Sequence, residues 1–182
     1  MPKKILLVLA HRDIQNSRVN RFLIESLRGQ DCITIYNLYE TYPDFFLDIS
    51  REQRLLREHQ ALVLQYPLYW YSCPSLLKEW IDAVWERGFA WGAGGTALRD
   101  KPVQHIVSIG GSVWNRFYDN AGSFSMDEVM KPFWLQARLA GMQWHTPVIV
   151  PAHVMDHAEE MKIQRERYQE TLKTLLKEEN GI

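Results

Sequence analysis

The feature that most constrains this chain is a regular alternation of short apolar runs with segments of helical periodicity. The first run, residues 5–10, is continuously apolar, as in a strand that is buried on both faces of a sheet. Further strands are predicted at residues 32–38, 61–65, 103–109 and 143–150. Strands that alternate with helices in this way form a parallel sheet with helices packed on both faces.

Helices are predicted in the intervals between these strands. Residues 19–27, 50–59, 76–85 and 161–175 carry apolar side chains at helical spacing, whereas residues 39–49 read as a loop. Ser125 and Glu128 have capping-box spacing and open a further helix, in which Pro132 predicts a delayed start or a kink. Pro147 interrupts the last strand, as an edge strand tolerates.

The predicted fold class is α/β, a flavodoxin-like three-layer sandwich with a five-stranded parallel sheet of order 2-1-3-4-5. A Rossmann dinucleotide-binding domain is the alternative, but no G-x-G-x-x-G motif follows the first strand. The length of 182 residues suits one domain, and a hydrophobic content of 46% is enough for a sizeable core. We therefore expect residues 1–182 to form a single flavodoxin-like domain.

The charge balance indicates which binding partners to expect, and the cysteine content indicates the cellular compartment. The formal net charge is −1, with no block of like charge, which argues against nucleic acid or an anionic membrane surface as the main partner. Cys32 and Cys73 are the two cysteines, and such sparse use predicts ordinary thiols in a reducing cytoplasm. The apolar run at residues 5–10 is too short for a signal peptide or a membrane span.

Open α/β sheets bind ligands beyond the carboxyl ends of their strands, at the switch point between strands 1 and 3. The loop after strand 1 leads into a helix whose free amide groups and dipole predict an anion site. A plain helix N-cap is the alternative interpretation and explains the same residues equally well. The candidate ligand-binding residues in this loop are His11, Ser17, Arg18, Val19 and Asn20.

The loop after strand 3 offers a stiff, flat, apolar wall together with backbone donors. An isoalloxazine ring requires a stacking surface on its face and hydrogen bonds at its edge. A hydrophobic dimer patch is the alternative, and the two are compatible. The candidate residues are Pro67, Leu68, Tyr69, Trp70 and Tyr71.

The loop after strand 4 contains a pair of glycines that would let the backbone approach a ligand closely. Its candidate residues are Ser108, Gly110 and Gly111, and a tight turn is the alternative interpretation. Elsewhere, His153 and His157 are spaced as on one helical face, but no further ligand completes a metal site, so none is predicted. No catalytic side chain is assigned.

These loops resemble those of the NAD(P)H:quinone oxidoreductase family in its short bacterial form. The resemblance covers nearly the whole chain. Its most specific part is Pro-Leu-x-Trp-Tyr at residues 67–71, followed by P-x-x-L-K-x-W at residues 74–80, with Tyr71 where the family has Phe. Ala10-His11 with Ser17 and Asn20 is similar to the family's flavin phosphate loop.

Within that family the chain is most similar to the ancillary proteins of glutathione-gated potassium efflux systems. The shared segments are Y-P-D-F-F-L-D-I at residues 42–49 and G-F-A-W-G at residues 88–92. This resemblance implies a second possible function, in which the protein is a regulatory subunit that binds and activates a membrane potassium antiporter. Localisation would then be cytoplasmic or peripheral at the inner face of the membrane, through the protein partner.

The resemblance implies FMN as cofactor, with FAD possible, and NAD(P)H as cosubstrate. The expected reaction is ping-pong: hydride passes from NAD(P)H to flavin N5, and a quinone or similar acceptor then takes the electrons. Animal quinone reductases carry a Tyr and a His after the Gly-Gly loop. The corresponding positions here are Arg116 and Gly122, with Tyr118 offset, so those catalytic roles are not transferred.

The resemblance also implies a homodimer with the flavin site near the interface. The number of aromatic residues supports this expectation, because a monomer would not readily expose so many large apolar groups at one rim. The aromatic residues assigned to that rim are Trp70, Tyr71, Phe117, Phe133 and Trp134.

Overall fold

The computed structural model describes residues 4–110 and 125–177. Within them, six strands form one sheet in which every pairing is parallel. The strands are β1 (Ile5–Leu9), β2 (Ile33–Asn37), β3 (Ala61–Pro67), β4 (Pro102–Ile109), β5 (Gln143–Trp144) and β6 (Val148–Pro151). The sheet order is β2-β1-β3-β4-β5, and β6 also pairs with β4. The predicted order 2-1-3-4-5 is confirmed.

The last predicted strand, residues 143–150, is split into β5 and β6 and is not continuous. β5 pairs with the start of β4 at Pro102 and Val103, and β6 pairs with its second half, from Ile106 onwards. Pro147 lies in the gap, because proline has no N–H to give to a ladder. The buried Gln104 side chain crosses this gap and donates from Nε2 to the Thr146 carbonyl at 2.8 Å.

The helices occupy the intervals between the strands. They are α1 (Arg18–Glu25), α2 (Leu38–Thr41), α3 (Ile49–Glu58), α4 (Ser75–Val84), α5 (Met126–Leu139) and α6 (Ala158–Lys177), with 3-10 turns at Ile14–Asn16 and Ala152–Asp156.

The structure differs from one of the predictions between the strands and agrees with another. The segment 39–49, expected to be a loop throughout, begins inside α2, because Asn37 caps that turn by accepting from the Glu40 amide. The capping box of Ser125 and Glu128 is confirmed, and α5 starts directly after it and runs through Pro132 to Leu139. The proline does not delay the start of the helix.

The sheet separates two apolar clusters, which gives the three layers. Alternate residues of β1 enter opposite clusters: Leu6 and Val8 pack on the side of α3, α4 and α5, whereas Ile5 and Leu7 pack on the side of α1 and α6. This explains the unbroken apolar run, since a strand buried on both faces has no solvent-facing position. In the described part of the chain, no helix is both long and apolar enough to cross a membrane.

A fully buried carboxylate lies in the cluster beneath α3 and α4. Glu52 Oε1 accepts hydrogen bonds from the hydroxyls of Tyr36 at 2.7 Å and Tyr42 at 2.6 Å, and its Oε2 accepts from Trp80 Nε1 at 2.7 Å. Burial, reinforced by the carboxylate, raises the pKa of both tyrosines. Three donors offset the cost of removing Glu52 from water.

A buried histidine lies on the same side of the sheet, beside β3. His105 Nδ1 is 2.9 Å from the hydroxyl of Tyr66, and its ring packs against Phe133 and Trp144 at centroid distances of 5.2 and 4.9 Å. Burial lowers the pKa of His105 to about 3, so its imidazole is neutral and can accept from the tyrosine.

Candidate functional site

The three candidate loops leave the sheet side by side, because their strands are neighbours in register. Leu9 of β1 pairs with Gln65 of β3, and Pro67 of β3 pairs with Ser108 of β4. Beyond these pairs, the Leu68 amide still donates to the Ser108 carbonyl at 2.8 Å. The first, second and third loops therefore start from adjacent positions on the carboxyl edge of the sheet.

The first loop ends at the amino terminus of α1. Ser17 caps this helix, and its Oγ accepts from the Asn20 amide at 3.2 Å. The amides of Arg18 and Val19 lie in the first turn, where a helix has no internal acceptors for its N–H groups. The side chain of Val19 packs into the core, so only its backbone faces the edge. The free amides of this first turn suit an anion. The contact made by Ser17, taken by itself, is also explained by a plain helix N-cap.

His11 and Arg18 are both held by neighbouring groups. His11 Nδ1 accepts from the Asp13 amide at 3.1 Å, and partial burial lowers the pKa of His11, which favours the neutral ring. Arg18 donates to the Asp156 carboxylate at 2.7 Å and to the Met155 carbonyl at 3.0 Å. This ion pair lowers the pKa of Asp156 and directs the guanidinium towards the 3-10 turn before α6.

A buried hydrogen-bond relay connects the first loop with the third. The side-chain amide of Asn20 donates to Ser17 Oγ at 3.2 Å and to Ser108 Oγ at 2.9 Å. Gln65 Nε2 donates to Asn20, and the hydroxyl of Tyr168, on α6, donates to Gln65 Oε1 at 2.7 Å. Ser17, Asn20 and Ser108 were predicted as site residues, and the structure brings them together.

Gln65 and Tyr168 were not predicted. The available signal for Gln65 was a lone amide in the otherwise apolar run of β3, because a buried polar side chain requires partners. Tyr168 gave no such signal. It sits at an apolar position of an amphipathic helix, and its partner lies 103 residues away in sequence.

The second loop closes in a two-residue turn. Trp70 and Tyr71 occupy its central positions with φ of +49° and +61°, the left-handed values that a type I′ turn requires. Glycine or asparagine normally takes these positions, and a bulky side chain there costs about 1–3 kcal/mol. The ring of Trp70 is 95% exposed.

Other exposed aromatic side chains lie after α2, in the segment that leads from β2 to α3. Phe46 is 81% exposed and Phe45 is 39% exposed, in the loop between α2 and α3. Tyr69 and Tyr71 are about as exposed as Phe45. The carboxyl edge therefore carries aromatic groups from two loops, of which sequence reasoning assigned only the second to a site.

The third loop begins at Gly110, directly after β4, and Ser108 lies within β4, one residue before the end of that strand. Gly110 has open space where a Cβ would stand, so no crowding demands glycine there. Gly111 lies outside the described residues, as do Arg116, Phe117, Tyr118 and Gly122.

The prediction of an exposed aromatic rim is wrong for Phe133. Phe133 is 4% exposed and packs against Tyr66 and His105, because α5 turns it into the core. Trp134 is partly buried and lies under the charged ends of Lys131 and Arg138, at 3.9 and 5.1 Å from its ring centroid. Across residues 4–110 and 125–177, no three His, Cys, Asp or Glu side chains are grouped to hold a metal ion.

The parallel sheet of order 2-1-3-4-5, with ligand-type loops at its carboxyl edge, defines a flavodoxin-like protein. The chain belongs to the family described as "Flavodoxin-like fold", whose model matches residues 3–172. It is 42% identical to the glutathione-regulated potassium-efflux system ancillary protein KefG of Erwinia tasmaniensis, over 96% of this chain and 95% of the relative. The resemblance inferred from the three loops is confirmed.

Two solved structures extend the comparison. General stress protein 14 of Treponema denticola, solved in complex with FMN, aligns with a TM-score of 0.86 and 32% identity, covering 94% of this chain and 99% of that one. An NADPH-quinone reductase from P. pentosaceus aligns with a TM-score of 0.82 and 28% identity, covering 92% and 96% of the two chains.

Proposed function

We propose that this protein binds FMN at the carboxyl edge of its sheet and passes electrons from NAD(P)H to a quinone-like acceptor. The main observation behind the proposal is that polar donors and exposed aromatic side chains lie together at the carboxyl edge of the sheet. Hydroxyl and amide donors come from the loops after β1 and β4, and an exposed aromatic turn comes from the loop after β3. The FMN bound by the Treponema denticola relative supports this choice of cofactor.

The chain's residues divide into two roles in this proposal. Ser17 and Ser108, joined through Asn20, would hold the flavin phosphate together with the amides of Arg18 and Val19, since a helix N-terminus favours an anion. His11 borders this end; because its Nδ1 accepts from the Asp13 amide, the neutral ring carries its proton on Nε2 and can donate a hydrogen bond from there. FAD remains the alternative cofactor, and competition between FMN and FAD in a binding titration separates the two.

The second role is to hold the ring. Residues 67–71 would supply the face of the ring pocket, and Gly110 and Gly111 would approach the ring from the next strand. Bound flavin supplies hydride acceptance and onward electron transfer. The open, exposed edge at Trp70 would admit NAD(P)H and the acceptor one after the other, which is the requirement of a ping-pong reaction.

The proposal is tested by reconstitution of the purified protein with FMN and with FAD. We expect a yellow protein that oxidises NADH or NADPH with a soluble quinone at about 1 s⁻¹ or faster. Double-reciprocal plots at several quinone concentrations should be parallel, as ping-pong kinetics require. A protein that binds neither flavin overturns the proposal.

A second candidate function is that of an ancillary subunit of a glutathione-regulated potassium antiporter. The observation that favours it is the 42% identity to KefG along nearly the whole of both chains. In this function the protein need only hold flavin and dock on the antiporter, at the cytoplasmic face of the membrane. Potassium efflux from vesicles containing the antiporter should rise when the protein is added, and an unchanged efflux would reject this function.

We also propose a homodimer with the flavin site near its interface. The support is the group of exposed aromatic side chains at the carboxyl edge, because an apolar patch of this kind is usually covered by a ligand or a partner. Light scattering at micromolar concentration should give twice the chain mass of 21.4 kDa. A monomer would contradict the proposal.

A further inference from the structure

We infer that Tyr168, on the last helix, holds Gln65, and through it Asn20, in the orientation that fixes the hydrogen bonds at the proposed phosphate site. The inference rests on the proposed FMN site. Tyr168 belongs to α6 on one face of the sheet, so it acts as a positioning residue and does not touch the ligand. The relay determines whether the hydroxyls of Ser17 and Ser108 donate or accept hydrogen bonds towards a ligand at the carboxyl edge.

The direction of the relay is anchored at a backbone carbonyl. Gln65 Nε2 lies 3.3 Å from the Asn20 backbone oxygen and 3.3 Å from Asn20 Oδ1. A backbone carbonyl can only accept a hydrogen bond, so the NH2 end of Gln65 must face it. Gln65 Oε1 is then turned to Tyr168, whose hydroxyl is 2.7 Å away and must donate.

Asn20 is oriented by the same contact. Its Oδ1 accepts from Gln65, which leaves its NH2 group to face the two serines. The two amide hydrogens are used once each, towards Ser17 Oγ at 3.2 Å and Ser108 Oγ at 2.9 Å. Ser17 Oγ also accepts from the Asn20 backbone amide at 3.2 Å.

Both serine oxygens therefore act as acceptors towards the interior of the protein. The hydroxyl hydrogens must point elsewhere, and in the described residues neither Ser17 nor Ser108 donates to a protein acceptor. Both residues are mostly buried and keep 8% of their surface exposed. Two outward-directed O–H donors beside a helix N-terminus match the oxygens of a phosphate.

Burial makes this direction unambiguous. Gln65 and Tyr168 are fully buried, and Asn20 is nearly so, so solvent does not compete for their hydrogen bonds. Burial also raises the pKa of Tyr168, so that the hydroxyl keeps the proton it donates. Loss of that hydroxyl would leave Gln65 Oε1 as a buried acceptor with no donor, and the side chain would shift and loosen its contact with Asn20.

The test is Tyr168→Phe, which removes one hydroxyl and keeps the ring. Affinities for FMN and for riboflavin, which has the same ring system and no phosphate, are measured by quenching of flavin fluorescence. FMN should bind about five- to ten-fold more weakly to the variant, and riboflavin affinity should stay unchanged. A purely structural role would weaken both ligands in proportion or neither.

Tyr36→Phe is the matched control, because it removes another buried tyrosine hydroxyl, the one that donates to Glu52 in the other core cluster. It should lower the unfolding midpoint and leave the ratio of FMN to riboflavin affinity unchanged. Ser108→Ala is the second variant, since it deletes one outward donor without disturbing Tyr168. It should reproduce the selective loss of FMN affinity.

Each result decides between the two levels of the hypothesis. An unchanged affinity ratio in Tyr168→Phe, or in Ser108→Ala, overturns the relay. Equal binding of FMN and riboflavin by the unmodified protein overturns the relay and leaves a flavin site standing. Binding of neither flavin overturns the proposed function itself.

Discussion

Tyr69 and Ser72 exchange two backbone hydrogen bonds, each 2.9 Å long, and so hold Trp70 and Tyr71 between them in a tight turn. The turn lifts the Trp70 ring off the protein surface and leaves it almost wholly in solvent. A large ring in this position contributes little to the core. Its backbone strain is sustained by the flanking hydrogen bonds, and strain of this kind concentrates at functional sites.

Trp70→Ala should therefore weaken FMN binding more than it weakens the fold. Aromatic contacts contribute about 0.5–1.5 kcal/mol beyond area burial, so the loss of stacking and shielding should reduce affinity roughly ten-fold. The melting temperature should change little, because an exposed loop residue sustains little of the core. Flavin titration and thermal melting of the same variant provide the measurement. A lower melting temperature or a split dimer, with flavin affinity per folded protein intact, would instead assign Trp70 a structural role.

Trp70→Gly should be more stable than Trp70→Ala. Both variants lack the ring, but glycine adopts the left-handed φ of +49° without the clash that a Cβ brings. The expected difference in the free energy of unfolding is about 1 kcal/mol in urea titrations. Their flavin affinities should be equal. If the alanine variant proved as stable as the glycine variant, the turn would store no strain at this position.

Glu52→Leu should destabilise the fold by about 3–5 kcal/mol, because it leaves three buried donors without an acceptor. The donors are the hydroxyls of Tyr36 and Tyr42 and the indole N–H of Trp80. Chemical denaturation gives the measurement, and Glu58→Leu, on the exposed side of the same helix, is the control, with an expected change below about 0.5 kcal/mol. Equal effects of the two substitutions would mean that the cluster contributes nothing to stability.

His105 should make the protein less stable as pH falls below about 6.5. The unfolded chain takes up a proton near that ordinary pKa, whereas the buried imidazole resists protonation until about pH 3. The folding equilibrium should therefore lose up to about ten-fold per pH unit between these values. His105→Gln keeps a hydrogen-bond partner for Tyr66 but cannot titrate, so its urea midpoint should depend less on pH between 4 and 6.5. Parallel pH profiles for the two proteins would exclude His105 as the cause.

The sheet was predictable because period and burial are local properties of the sequence. The apolar run of β1 and the alternation with helices led to the strand order without any long-range information. Pro147 indicated that the last strand would be interrupted. The Gln104 side chain that crosses the gap could not be predicted, since its partner is 42 residues away.

The candidate site shows the same difference between features set by local sequence and features set by long-range contacts. Loop residues that follow strand ends, such as Ser17 and Trp70, could be placed at the carboxyl edge of the sheet from topology alone. Phe133 was misassigned because sequence spacing did not show which face of its helix meets the core. Tyr168 and Glu52 were missed because each is defined by partners brought together in three dimensions.

The bond from Tyr168 to Gln65 has a consequence for the order of assembly. Synthesis delivers the loops after β1, β3 and β4 well before α6, yet the amide of Gln65 gains its buried donor only when α6 docks on the sheet. A nascent chain can thus form most of the sheet while Gln65 and Asn20 at its carboxyl edge are still loosely held. If the proposed phosphate site is correct, such a chain would bind FMN more weakly than the complete fold, and docking of the last helix would be the step that completes the site.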